Sequence, residues 1–164
     1  MLAITHLLVT LVLIQVLVLD RNDAFVALLF GVFIDLDHLF GLKDYTQAHG
    51  FRALFDFNHL MHPGGHWKSM LHSPIAVAVV GPLSVASRLA IPLVFWGVHI
   101  TMDFVQERYL GTFSEAEAML LLFSTFVLIT LRYSKFVESR AEANVFEYFR
   151  TEFSGLRRLA LGVE

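Results

Sequence analysis

The stretch LAITHLLVTLVLIQVLVL, Leu2 to Leu19, decides the fold, because only Thr5, His6, Thr10 and Gln15 interrupt its apolar run. Crossing a hydrocarbon core of roughly 30 Å takes about 20 such residues. The stretch therefore predicts a first membrane-spanning helix. A secretory signal would open on basic residues and close on a small-residue cleavage site. Here Thr5 and His6 open the run and Asp20-Arg21-Asn22-Asp23 closes it, so the helix is expected to stay attached.

Outward from this helix the pattern repeats. A second apolar run extends from Ala24 to about Leu42, with Asp35, Asp37 and His38 in its last two turns, and Lys43 and Asp44 mark its exit. Residues 44–72 change character, mixing His49, His59, His62, His66 and His72 with aromatics, Arg52, Lys68 and the turn Pro63-Gly64-Gly65. They read as a long loop with a short amphipathic helix around Phe51 to Phe57. Ser73-Pro74 reads as an N-cap and first helical position, opening a third helix to about Ala86 that Gly81-Pro82 should kink. A fourth helix is expected over about Leu89 to Gln106, containing His99 and Asp103. Ser114 with Glu117 forms a capping box that opens a fifth, ending near Arg132.

Beyond Tyr133 an apolar stripe of Phe146, Phe149, Phe153 and Leu156 runs beside Arg150, Arg157 and Arg158. Such a helix suits a membrane surface, with a solvated tail helix or a dimer contact as the alternative reading. The expected architecture is all-α: a transmembrane bundle of about five spans over residues 1–133, and an amphipathic cytoplasmic tail over 134–164.

Composition agrees. Of 164 residues 56% are apolar and 16% charged, and mean hydropathy is +0.63, a balance that suits lipid better than water. A net charge of −3 without a basic stripe interleaved with aromatics excludes a nucleic-acid partner. The absence of cysteine removes disulfides and thiolate metal sites together, leaving nitrogen and oxygen ligands.

Lys and Arg mark the cytoplasmic side, and Arg132, Lys135, Arg140, Arg150, Arg157 and Arg158 follow the fifth helix. The C-terminus is thus expected inside the plasma membrane and the N-terminus outside. Counting spans brings His6, Asp35, Asp37, His38, His66, His72, His99 and Asp103 toward one face, the extracytoplasmic one. That sorting follows from odd and even crossings alone.

Ionisable groups in spans are unfavourable and usually mark a site. His99 and Asp103, four apart, face the same way on a helix, and Asp35 and His38, three apart, do likewise. Each pair offers an imidazole and a carboxylate to one ion. Asp37 points elsewhere, to bridge a second ion, orient a His, or act as a catalytic base. Imidazole with carboxylate suits Zn²⁺, with Mn²⁺ or Fe²⁺ as alternatives. Eight candidate ligands exceed one four-coordinate ion, so two or more metals are expected. Paired metals activate water and clamp phosphoryl oxygens, which points to hydrolysis of a phosphoester.

Thr5-His6, Asp35-Leu36-Asp37-His38, His66 followed by His72-Ser73, and His99-Ile100-Thr101-Met102-Asp103 together resemble the YdjM-like predicted membrane-bound metal-dependent hydrolases. The pattern is also distantly similar to zinc-dependent phospholipases C. The resemblance covers roughly residues 5 to 103. It implies a membrane-embedded hydrolase with His6, Asp35, Asp37, His38, His66, His72, His99 and Asp103 as its polar centre. The chain departs from the family at Ile34 and Trp67, where the family has Pro and Arg.

The expected function is hydrolysis of a phospholipid or lipid-linked phosphoester by metal-activated water, with membrane lipid and a lipid-like phosphoester as partners and room for an oligomer. Metal-ion binding or transport is the rival, since clustered His and Asp also serve ion pathways. A carrier would place ligands near the midplane, whereas these residues gather at one face. A purely structural metal that staples helices is the third reading.

Overall fold

The computed structural model describes residues 3–52, 70–72, 74–86, 90–110, 114–140 and 144–161. These are helical apart from short connections: α1 (Ala3–Val16), α2 (Arg21–Gly31), α3 (His38–His49), α4 (Val77–Ala86), α5 (Ile91–Val105), α6 (Glu115–Glu138) and α7 (Val145–Leu161). Short 3-10 turns cover Phe33–Asp37, Met70–His72 and Pro74–Ala76, and a π-helical turn at Gln106–Leu110 prolongs α5.

Helix α5 is the hub. One side packs against α2 and touches α1, and α4 packs beside it. Phe95 is buried with Ile14 of α1 and Ala27 of α2, while the next residue, Trp96, packs with Ile34, Ala76 and Val80. Helix α1 lies along both α2 and α6, and Lys135 donates to Gln15 Oε1 at 2.8 Å across the far ends of α1 and α6.

Several boundaries depart from the expected ones. Helix α1 stops at Val16, because Val18 takes a left-handed conformation (φ 52°) and Asp20 restarts the chain as an N-cap accepting from the amides of Asn22 and Asp23. The second helix does not run unbroken to Leu42. It ends at Gly31, passes through the 3-10 turn 33–37, and resumes as α3, which extends through Asp44 to His49. The Gly31 carbonyl accepts a side-chain N–H from His99, and the Asp35 amide turns instead to Val32 O at 3.2 Å. Asp35, Asp37 and His38 thus lie at a helix break and restart. Gly50, with φ 79°, closes α3 in the left-handed conformation that helix ends favour.

The third helix begins its α geometry at Val77 after a 3-10 turn and keeps Pro82 inside it. Ser114 caps α6, accepting from the Glu117 amide, and α6 runs on past Arg132 to Glu138. The cap expected at Ser73 and the amphipathic segment beyond Arg52 lie outside the described residues.

Among the described residues, α6 is the one helix long and apolar enough to cross a membrane; α1 is apolar but shorter. Helix α6 is turned inside out relative to a water-soluble helix. Glu117 and Ser124 are buried, while Met119, Leu122, Phe123 and Phe126 are exposed.

Candidate metal centre

Four separate elements deliver the site. His6 sits in the second turn of α1, Asp35 at the centre of the 3-10 turn after α2, His72 at the end of the turn 70–72, and His99 and Asp103 one helical turn apart on α5. The last pair shares a face because residues four apart stack along a helix.

Asp35, His72, His99 and Asp103 converge. The His72 and His99 Nε2 atoms are 2.9 Å apart, and Asp35 Oδ1 lies 3.1 Å from each. Asp103 Oδ2 is 3.5 Å from His72 Nε2 and 3.3 Å from His99 Nε2. Ligands of a tetrahedral ion at bond lengths near 2.0–2.1 Å stand about 3.3 Å apart, and the His–His and His–Asp spacings, five of the six edges of such a tetrahedron, lie close to that value. The four ligand atoms all lie within 4.8 Å of one another, and the group could hold a metal ion.

The tautomer of His99 fits that use. A carbonyl can only accept, so the 3.1 Å contact with Gly31 O means that Nδ1 carries a hydrogen. In the neutral ring Nε2 then presents a lone pair to the cluster, the arrangement that orients metal-binding imidazoles elsewhere. A proton on one imidazole could satisfy one acceptor, whereas two nitrogens and two carboxylate oxygens meet here.

His6 stands against the other side of Asp103. Its Nε2 is 3.0 Å from Asp103 Oδ1, its ring stacks on His99 with centroids 4.0 Å apart, and its Nδ1 is buried with no hydrogen-bond partner among the described residues. Asp103 therefore presents one oxygen to His6 and the other to His72 and His99. His99 and His6 are 0% and 1% exposed, but Asp35 and Asp103 are 28% and 27% exposed. The imidazoles form the floor, and the carboxylates face the opening.

Of the other residues singled out from sequence, Asp37 ends the 3-10 turn and His38 begins α3, but their side chains lie outside the described set. His66, His59 and His62 also fall outside the described residues. His49 is exposed at the end of α3, its ring 5.0 Å from that of Tyr45.

Three supporting residues were not legible as functional in the sequence. Gly31 supplies the carbonyl that orients His99, and a Cβ there would meet Thr10 Oγ1 at 2.4 Å. Trp96 donates from Nε1 to Leu71 O at 2.9 Å, tying the turn that carries His72 to α5. Glu117, 1% exposed, accepts from Thr5 at 3.4 Å, joining α6 to α1 beside His6. The available signals were polar interruptions, Thr5, Thr10 and Glu117, in otherwise apolar helices.

Gly31→Ala sets a methyl against the buried Thr10 side chain, which must turn or move to make room, and the shift is expected to reach the carbonyl that holds His99. Loss of such a supporting contact lowers metal affinity by about 10–100-fold, the drop expected in a competition titration against a chelating dye. Unchanged affinity in a folded Gly31→Ala protein would show that this carbonyl does not orient His99.

No protein-family model, curated protein or solved structure matches the chain.

Proposed function

We propose that this protein is a membrane-embedded, divalent-metal-dependent hydrolase acting on a phospholipid or lipid-linked phosphoester. The observation that carries the reading is the convergence of two imidazoles and two carboxylates from sequence-distant elements, with His–His and His–Asp spacings of 2.9–3.5 Å. The motif resemblance to the YdjM-like hydrolases supports it as well. Asp35, His72, His99 and Asp103 hold one cation, with Zn²⁺ the best match to an N₂O₂ set and Mn²⁺ or Fe²⁺ the alternatives. Asp103 Oδ1 and His6 offer a neighbouring position for a second, as in sites where paired ions grip a phosphoryl group. The resemblance to the YdjM-like hydrolases would add His38, Asp37 and His66 to this set, Asp37 as bridge or base.

A cation bound there supplies Lewis acidity and lowers the pKa of water toward neutrality. The chain's own contribution is orientation. Gly31 fixes the His99 ring, Trp96 ties down the turn bearing His72, and the partly exposed carboxylates leave the approach for substrate.

The membrane reading rests on polarity. Five polar side chains of α1 and α6 are buried, Thr5, His6, Thr10, Glu117 and Ser124, and large apolar ones face outward from α1, α2, α4, α5 and α6. That inversion suits a five-span bundle in the plasma membrane, with the metal centre on the extracytoplasmic side and the C-terminus inside.

The test is elemental analysis of the purified protein combined with a hydrolysis screen over phospholipids and lipid-linked phosphoesters, run before and after chelation. Bound metal and a chelator-sensitive ester cleavage are expected. Metal retained with every ester untouched would overturn the enzyme reading in favour of a structural or transport site.

A further inference from the structure

Helix α7 is held to the bundle by a narrow strip. Tyr148 is buried and packs edge-on against Tyr133 and Phe136 of α6, at centroid distances of 5.6 Å each. One turn on, Glu152 accepts from Arg132 at 3.1 Å. This latch fixes the rotation of α7. Phe146, Phe149 and Phe153 then lie roughly 100–160° round the helix from Tyr148, taking 3.6 residues per turn, and they are 87%, 41% and 67% exposed. Arg150 and Arg157 lie at roughly 180–200°, along the outer edge of that aromatic arc, and both are exposed.

The latch also sets depth. Arg132 and Lys135 stand where the apolar run of α6 ends, the level at which a spanning helix leaves hydrocarbon for headgroups. Because Tyr148 docks on Tyr133 and Phe136, α7 is held at that level. An aromatic face edged with Arg, at headgroup depth, matches an interfacial helix on an anionic leaflet.

We propose that α7 lies in the lipid interface, with Phe146, Phe149 and Phe153 inserted at the boundary between headgroups and acyl chains and with Arg150 and Arg157 on anionic lipid phosphates. This rests on the membrane reading of α6 but not on the metal centre.

The native chain has no cysteine, so single cysteines can carry an environment-sensitive fluorophore without background. Phe153→Cys reports the aromatic arc, Thr151→Cys the opposite face of α7, and Phe126→Cys the outward face of α6. The protein is reconstituted in phosphatidylcholine–phosphatidylglycerol vesicles with nitroxide-labelled lipids as quenchers, a shallow one for the labels at 151 and 153 and a deep one for the label at 126, near the middle of its helix. The label at 153 should be quenched several-fold more than that at 151, and the contrast should shrink in Arg150→Gln/Arg157→Gln. A quenched label at 126 beside equal, weak quenching at 153 and 151 would overturn the proposal alone. No quenching at either 126 or 153 would remove the membrane reading with it. Shielding of 153 that vanishes on dilution of protein in lipid would assign the face to a second copy of the chain, and overturn the proposal too.

Discussion

His99→Ala is expected to release the bound metal. The ring contributes one of the four ligand atoms, stacks on His6 and is wholly buried. Losing a supporting contact around a metal already lowers affinity by about 10–100-fold, so removing a ligand should exceed about 100-fold and leave the purified protein substantially metal-free. Any chelator-sensitive hydrolysis should fall with it. Because alanine also leaves a hole beneath the cluster, His99→Asn is the companion variant. Asparagine places an amide N–H where Nδ1 meets the Gly31 carbonyl and offers nothing at the Nε2 position, so a folded His99→Asn protein that has lost its metal separates ligation from packing. His49→Ala, at an exposed position at the end of α3, should leave metal content unchanged. Full metal occupancy in both His99 variants would mean that the His–Asp cluster is an ion-pair network rather than a coordination sphere.

The second large effect concerns lipid. Phe126 is 67% exposed near the middle of α6. On a protein in water, Phe126→Arg would be close to neutral, since surface substitutions usually change stability by no more than about 0.5 kcal/mol. At the centre of a membrane span, arginine disfavours insertion by about 2.5–3.5 kcal/mol, roughly 100-fold in the equilibrium between inserted and non-inserted chain. Phe126→Arg should therefore collapse the membrane-integrated fraction, read by resistance to alkaline extraction. Ser134→Arg, at an exposed position in the last part of the same helix, should have little effect, because a long cation there reaches headgroups. Equal behaviour of the two variants would place α6 in water.

The inverted polarity of α6 connects these two expectations. A buried carboxylate is unfavourable unless it is paired or hydrogen-bonded, and Glu117 is placed against Thr5 on α1, beside His6. The long apolar helix is thereby joined to the helix that begins the metal centre. The same contact explains why α1, with polar Thr5, His6 and Thr10 all buried, can present Ile4 and Val16 outward.

Hydropathy and spacing were sufficient to read the helices of the described residues, the capping Ser114 and the helical tail, each by a local rule: an apolar run or a capping side chain. The polar set was read as eight residues, gathered by counting spans, and among the described side chains the structure brings together Asp35, His72, His99 and Asp103 with His6 beside them. The helix break at Gly31 was not legible, because nothing local ends that helix. It ends where Thr10 of one helix and His99 of another both reach the same glycine. Nor could spacing show that Asp103 divides its two oxygens between His6 and the His72–His99 pair, or that Trp96 holds the turn bearing His72. Periodicity records which face of a helix is polar, but the atom that meets that face is supplied by a segment tens of residues away. Only the packing of α1, α2 and α5 against one another decides it.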